Sequence, residues 1–103
     1  MIFIGRKIIA DFGLSHPHSR KQLSAWESVM KSTIYQDFNA LKKTFPSADY
    51  VGHRYTIFNI CGNKYRLITE IDYAAGVVSV KVIWTHAEYS SSKSQDAVRR
   101  GKL

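Results

Sequence analysis

One short segment in the last quarter of the chain combines side chains that could carry acid–base chemistry. A stretch rich in β-branched residues, 76–84, runs directly into Thr85-His86-Ala87-Glu88-Tyr89. Thr85 and Glu88 have the T-x-x-E spacing of a capping box, which predicts that a helix begins here. His86 then lies in the first helical turn, and Tyr89 lies on nearly the same face. An imidazole and a phenol beside free helix N–H groups, which favour phosphate, suggest RNA cleavage in a basic chain.

The composition and net charge of the chain limit the classes of partner that such a site could bind. The 103-residue chain has fifteen Lys and Arg against eight Asp and Glu, which gives a formal net charge of +7 and a pI near 9.7. Its hydrophobic fraction of 45% is enough for a packed core, which argues against wholesale disorder. The length predicts a single domain over residues 1–103. Excess positive charge favours a nucleic acid partner, although it can also serve only to keep a protein dispersed.

The cysteine and histidine patterns argue against disulfides and metal sites. Cys61 is the only cysteine, so we interpret it as a small hydrophobic residue in or near a strand. His16 and His18 flank Pro17, but no third ligand is close in sequence, and a surface loop is the stronger interpretation. The apolar run of residues 1–4 is too short for a signal peptide or a membrane span, so we expect a cytoplasmic protein.

The first half of the chain has the apolar spacing of helices. Residues 2–4 are predicted to form a short opening strand. The apolar residues of the longest helix recur at i, i+3 and i+7, and they are Leu23, Trp26 and Met30, with Ile34 one turn further. Ser19 and Gln22 are interpreted as a second capping box at the start of this helix. Asp37 is predicted to cap another short helix, which Pro46 ends.

The second half changes to the alternation of strands. The predicted strands cover residues 55–61, 64–71 and 77–84, with turns at 62–63 and 72–76. Consecutive strands joined by short turns form an antiparallel meander. We therefore predict an α+β fold in which N-terminal helices pack on one face of a small antiparallel β-sheet. The polar tail, residues 90–103, fits either a final helix or a loose end.

Alternation along the last two strands predicts two cations on one face. Four apolar residues of the last strand are expected to share the opposite face: Val78, Val80, Val82 and Trp84. Lys81 then points away from them, and Arg66 points away from Tyr65 and Leu67 in the preceding strand. The two cations could bind phosphate, for which the guanidinium fork is well suited. Alternatively, they pair with Glu70 or extend into solvent.

Three of these stretches together resemble the HigB-type toxins of the RelE superfamily, the ribonuclease halves of bacterial type II toxin–antitoxin pairs. They are residues 55–60 (YTIFNI), 62–68 (GNKYRLI) and 85–89 (THAEY), and the likeness extends over nearly the whole chain. The resemblance implies a RelE-like two-layer fold whose concave basic sheet face receives mRNA. It also implies cleavage without metal or other cofactor, in which the ribose 2′-oxygen attacks the adjacent phosphorus and leaves a 2′,3′-cyclic phosphate or 3′-phosphate end.

The resemblance also assigns roles to residues. Arg66 corresponds to the phosphate-stabilising arginine, and His86 and Tyr89 fall where relatives carry proton-transfer and base-stacking groups; these three are the candidate catalytic residues. The candidate RNA-binding residues are Asn59, Lys64, Lys81 and Arg54. No metal ligands are expected.

Together these predictions define an expected function and two alternatives. We expect an mRNA interferase that acts on the translating 70S ribosome, is neutralised by a small helix-turn-helix antitoxin, and meets operator DNA only through the antitoxin complex, with no membrane partner. One alternative is a non-catalytic RNA- or ribosome-binding module that uses the same basic sheet. Another is a plain interaction subunit, for which Arg66, Lys81 and His86 would be incidental.

Overall fold

Five strands form one mixed sheet in the computed structural model, which describes residues 1–103. In chain order they are β1 (Ile2–Ile4), β2 (Asp49–Val51), β3 (Tyr55–Ile60), β4 (Tyr65–Asp72) and β5 (Val77–Thr85). Their order across the sheet is β1-β5-β4-β3-β2. The predicted meander of β3, β4 and β5 is confirmed, and β2 extends it antiparallel. β1 pairs parallel with β5 at the other edge, a long-range pairing that the sequence pattern did not indicate.

Helices occupy both ends of the chain. They are α1 (Arg6–Ser15), α2 (Arg20–Ser32), α3 (Phe38–Thr44), α4 (His86–Ser90) and α5 (Ser92–Arg99), with a 3₁₀ turn at Pro17–Ser19. The predicted cap of α3 is confirmed, because the Asp37 carboxylate accepts a hydrogen bond from the Ala40 amide at 2.9 Å. The α+β class is confirmed, and the polar tail forms a final helix. None of the helices combines the length and the apolar character needed to cross a bilayer.

The main core lies between the N-terminal helices and one face of the sheet. Leu23, Trp26 and Met30 of α2 are buried there as their spacing predicted. Trp26 makes an edge-on contact with Phe58 of β3, with ring centroids 5.3 Å apart. Ile34 does not continue this stripe: α2 ends before it, and it is 81% exposed.

A second, smaller core covers part of the other sheet face. Tyr55, Ile57 and Ile68 are buried there beneath Val98 of α5. Because side chains alternate along a strand, these residues lie opposite the main core. The expected N-terminal layer is therefore present, and α5 adds partial cover on the far side.

A bulge in β5 changes which of its residues face each core. Ile68 pairs with Val82, but Thr69 pairs with Val80, so Lys81 is an extra residue on β5. Val80 consequently packs in the main core, whereas Val82 and Trp84 pack in the second. The prediction that Val78, Val80, Val82 and Trp84 share one face is wrong, because it assumed uninterrupted alternation.

The capping box predicted between Ser19 and Gln22 at the start of α2 is absent. The Ser19 side chain makes no cap contact with α2; its hydroxyl donates to the carbonyl of His16 at 2.7 Å. Gln22 is used elsewhere, since its side-chain oxygen accepts from the backbone amide of Cys61 at 2.6 Å. Gln22 thus ties α2 to the end of β3, a contact between distant segments that competes with local capping.

The two histidines around Pro17 belong to an aromatic cluster. His16 is half-buried and stacks on Phe12 with ring centroids 4.1 Å apart, and the His18 imidazole is hydrogen-bonded to the hydroxyl of Tyr65. The surface-loop interpretation is therefore wrong for His16. No three His, Cys, Asp or Glu side chains are grouped so that they could hold a metal ion.

Candidate functional site

The junction between β5 and α4 lies beside the turn that joins β3 to β4. The predicted capping box is present: the Thr85 hydroxyl accepts from the Glu88 amide at 3.1 Å, and the Glu88 carboxylate accepts from the Thr85 amide at 2.8 Å. The His86 amide donates to the carbonyl of Lys64 at 2.8 Å. The start of α4 is therefore fixed both by its own cap and by the neighbouring turn.

Three predicted side chains converge at this junction. Arg66 pairs with Trp84 across β4 and β5, next to the start of α4. The Arg66 Nη2 atom lies 3.1 Å from His86 Nδ1, and its guanidinium carbon lies 5.8 Å from the centre of the Tyr89 ring. Tyr89 in turn lies near Trp84, with ring centroids 6.5 Å apart. A cation, an imidazole and two aromatic rings thus share one rim of the sheet.

The guanidinium of Arg66 is oriented by the β3–β4 turn. Its Nη1 donates to the carbonyl oxygens of Asn63 and Tyr65 at 3.1 and 3.3 Å. Its Nη2 also lies 3.3 Å from the side-chain oxygen of Asn63. Sequence reasoning treated Asn63 only as a turn residue. The available signal was an amide side chain three residues before a strand arginine, which can reach across a tight turn.

The contact with Arg66 assigns the tautomer of His86. An arginine can only donate hydrogen bonds, so Nδ1 must accept and the ring proton is placed on Nε2. The His86 side chain is exposed, so Nε2 can reach a ligand bound at the rim. The contact with Arg66 therefore leaves Nε2 as the ring nitrogen that is available to a ligand.

The position of Tyr89 depends on α5. The Gln95 side-chain amide donates to the carbonyl of Tyr89 at 2.8 Å. The Tyr89 ring packs against the second core, which contains Val98. Sequence reasoning missed Gln95, because nothing in the polar tail indicated that it folds back onto the preceding helix.

The candidate RNA-binding residues fall into two groups. Asn59 is the direct cross-strand partner of Arg66, and Lys64 lies exposed in the adjoining turn. Arg54 and Lys81 instead converge on Glu70, at 2.7 and 3.5 Å.

This second group, the Glu70 cluster of Arg54, Glu70 and Lys81, lies apart from the rim. Glu70 is four residues along β4 from Arg66, or about 13 Å. The hydrogen bond and charge of Glu70 raise the pKa of Arg54, which also donates to the carbonyl of Gly101 at 2.9 Å. For Lys81 the structure therefore has the pairing with Glu70 that the sequence left open as an alternative.

Comparison with known proteins identifies the family. Residues 19–92 match the model of the HigB toxin family, described as the RelE-like toxic component of a toxin–antitoxin system. The chain belongs to this family. It is 26% identical over 92 residues to the mRNA interferase toxin HigB of Escherichia coli K12, covering 86% of this chain and 88% of the relative. The mRNA interferases HigB of Escherichia coli O157:H7 and Shigella flexneri match to the same extent.

The matched region of this HigB-family toxin contains the whole rim. It runs from the 3₁₀ turn through α4, and so includes Arg66, His86 and Tyr89, whereas β1, α1 and most of α5 lie outside it. The resemblance inferred from three short motifs is thereby confirmed at the level of the family. In chemical terms, the rim offers a cation for a phosphate, rings for a base and a nitrogen that can exchange a proton.

Proposed function

We propose that this toxin is an endoribonuclease that cleaves mRNA, with residues 1–103 as one toxin domain. The relatives named above are mRNA interferases. The observation that carries the proposal is the 3.1 Å contact between Arg66 and His86, because it joins a phosphate-binding group to a proton carrier. Tyr89 and Trp84 beside them provide ring faces, and recognition of single-stranded RNA commonly stacks splayed bases on aromatic side chains.

The proposed reaction uses the nucleophile that RNA itself supplies. The ribose 2′-oxygen attacks the adjacent phosphorus, the bond to the 5′-oxygen breaks, and the products are a 2′,3′-cyclic phosphate and a 5′-hydroxyl. Arg66 stabilises the negative charge that develops on the phosphorane, the kind of electrostatic effect that often contributes most to catalysis. The 2′-hydroxyl loses its proton as it attacks, and the departing 5′-oxygen takes up a proton to become the 5′-hydroxyl; His86 carries a proton in this exchange, and Tyr89 holds the base. No metal or other cofactor takes part in this scheme.

The remaining basic residues are proposed to hold the RNA strand on either side of the cleaved bond. Asn59 and Lys64 flank Arg66, and they would contact the nearest nucleotides. Lys81 and Arg54 would act further along the sheet, where Glu70 already offsets part of their charge. Such phosphate contacts predict binding that weakens steeply as salt is raised.

The proposed cellular setting follows from the family. The toxin would act in the cytoplasm on mRNA held by a translating 70S ribosome. A small helix-turn-helix antitoxin would neutralise it, and operator DNA would be bound only through that complex. Membership of the HigB toxin family supports a toxin–antitoxin context for these partners.

The test is expression of the chain without its antitoxin, followed by mapping of 5′ ends in cellular mRNA. The intact chain should arrest growth and create new ends that carry 5′-hydroxyl groups. Arg66→Ala should lower cleavage by about 10²- to 10³-fold, the usual effect of removing one preorganised donor. Lys31→Ala, which removes an exposed charge from α2, should cleave normally.

Two results would contradict parts of this account. Full toxicity of an Arg66→Ala protein that is folded by circular dichroism would exclude Arg66 from the mechanism. Translation arrest without any new mRNA ends would favour the non-catalytic RNA- or ribosome-binding module.

A further inference from the structure

The hydrogen-bonding capacity of Arg66 is almost fully used within the protein. A guanidinium has five N–H donors, two on each Nη atom and one on Nε. Nη1 has two acceptors, the carbonyls of Asn63 and Tyr65. Nη2 also has two, the Asn63 side-chain oxygen and His86 Nδ1. Only the Nε–H has no acceptor, so an incoming phosphate cannot form two hydrogen bonds unless one existing contact is released.

The geometry of the guanidinium shows which contact stands in the way. Asn63 takes the edge formed by Nη1 and Nη2, since its carbonyl binds one and its side chain the other. The edge left for a phosphate is the one formed by Nε and Nη2. His86 occupies the Nη2 half of that edge.

His86 is also the easiest of these acceptors to displace. The two carbonyl groups belong to the turn and to β4, and the Asn63 side chain comes from the same turn. The His86 ring is exposed and extends from a helix of only five residues. A phosphate oxygen carries negative charge, so its hydrogen bond to the guanidinium gains a charge–charge attraction that the lone pair of an imidazole nitrogen does not supply.

We infer that an RNA phosphate oxygen replaces His86 Nδ1 on Arg66 Nη2, and that Asn63 is a positioning residue that keeps the guanidinium aimed during this exchange. The inference rests on the proposed function and specifies how its site engages substrate. His86 is released beside the bound phosphate, where its ring can take part in proton transfer. In the free protein it fills the place of the ligand.

The exchange predicts opposite effects of two substitutions on binding. The probe is an oligoribonucleotide methylated at every 2′-oxygen, which removes the attacking hydroxyl, and its dissociation constant is measured by fluorescence anisotropy. His86→Ala removes a competing acceptor, so it should leave binding unchanged or up to about threefold tighter. Arg66→Ala should weaken binding by roughly tenfold or more, the cost of losing a hydrogen bond to a charged group.

Asn63 is tested by separating binding from turnover. Asn63→Ala keeps the backbone carbonyl contact but removes the side-chain acceptor of Nη2. Single-turnover cleavage of unmodified RNA should fall about tenfold, while affinity for the methylated probe should change by less than about threefold. The matched control is Asp72→Ala at the last residue of β4, the opposite end of that strand from Arg66, where the lost side-chain acceptor serves only the Ala75 amide. It should cleave normally.

The exchange can be observed directly through the ¹⁵N resonance of His86 Nδ1. This resonance should shift when the methylated probe binds and displaces the imidazole from Arg66. An unshifted resonance in the saturated complex, or binding weakened threefold or more by His86→Ala, would overturn the exchange. An equal loss of cleavage in Asp72→Ala would overturn the role of Asn63. If the binding pattern is found but unmodified RNA stays intact, the proposed nuclease function fails while the exchange stands.

Discussion

Shortening Val98 to alanine should reveal how far the site depends on the docking of α5. Val98 is 1% exposed and packs on Tyr55, Ile57 and Ile68. Removing two buried methyl groups costs about 1.6 kcal/mol in transfer free energy, at about 0.8 kcal/mol each. The residual cavity adds roughly 1 kcal/mol, so we expect a loss of about 2.5 kcal/mol in the free energy of unfolding.

The matched control is Val78→Ala, which removes the same two methyl groups from the main core. Val78 is fully buried in β5, and the main core does not include α5. Both variants should lose a similar free energy of unfolding in urea. Only Val98→Ala should loosen α5 itself, and 2.5 kcal/mol of local destabilisation corresponds to about 60-fold faster amide exchange in that helix.

Loosening of α5 should affect RNA cleavage because α5 positions Tyr89. The Gln95 side chain of α5 donates to the Tyr89 carbonyl, and the Tyr89 ring rests on the second core. RNA cleavage at a temperature where both variants remain folded should therefore fall more in Val98→Ala than in Val78→Ala. Equal losses of cleavage, or unchanged exchange in α5, would refute the argument that this helix positions the rim.

Two further predictions concern backbone strain and burial. Gly52→Ala should destabilise the protein by more than about 2 kcal/mol in urea, because Gly52 has φ +67° and an added Cβ would lie 2.5 Å from the Val98 carbonyl oxygen. Gly62→Ala is its control, with φ +65° and no neighbour within 4 Å, and it should cost only about 1 kcal/mol; equal costs would discount the close contact. Burial raises the pKa of Tyr73 in the folded state, so stability should fall as the pH rises from about 10 towards that higher value. Tyr73→Phe should reduce this fall between pH 9 and 11 in urea titrations, and an unchanged pH dependence would contradict the assignment.

Features that depend on neighbouring residues in the chain were predictable. The cap of α3 by Asp37 and the box between Thr85 and Glu88 each join groups three residues apart, and both are present. The meander was predictable for the same reason, since short turns leave antiparallel pairing as the simple solution. The positions of His86 and Tyr89 at the rim were predictable for the same reason, because both residues follow directly from the start of α4.

Features that depend on distant segments were missed or predicted wrongly. The Ser19 box fails because Gln22 instead accepts from Cys61, 39 residues away. The bulge at Lys81 reverses the facing of Val82 relative to simple alternation, and no local pattern indicates it. The contact between Arg66 Nη2 and His86 Nδ1 likewise depends on the register of β4 against β5, which no local pattern fixes.

The rim combines a fixed cation with a proton carrier that is less firmly held. Arg66 extends from the central strand β4 and donates to one main-chain oxygen of the β3–β4 turn and one of β4 itself, so its position follows from the sheet. His86 and Tyr89 come from a five-residue helix whose backbone is held by one capping box, by the Lys64 carbonyl and by Gln95, while the His86 side chain stays exposed. A helix so short has little stability of its own, which leaves these side chains free to adjust when a ligand arrives. Substitutions in α5 should therefore reduce turnover before they reduce phosphate affinity, whereas substitutions at Arg66 should reduce both.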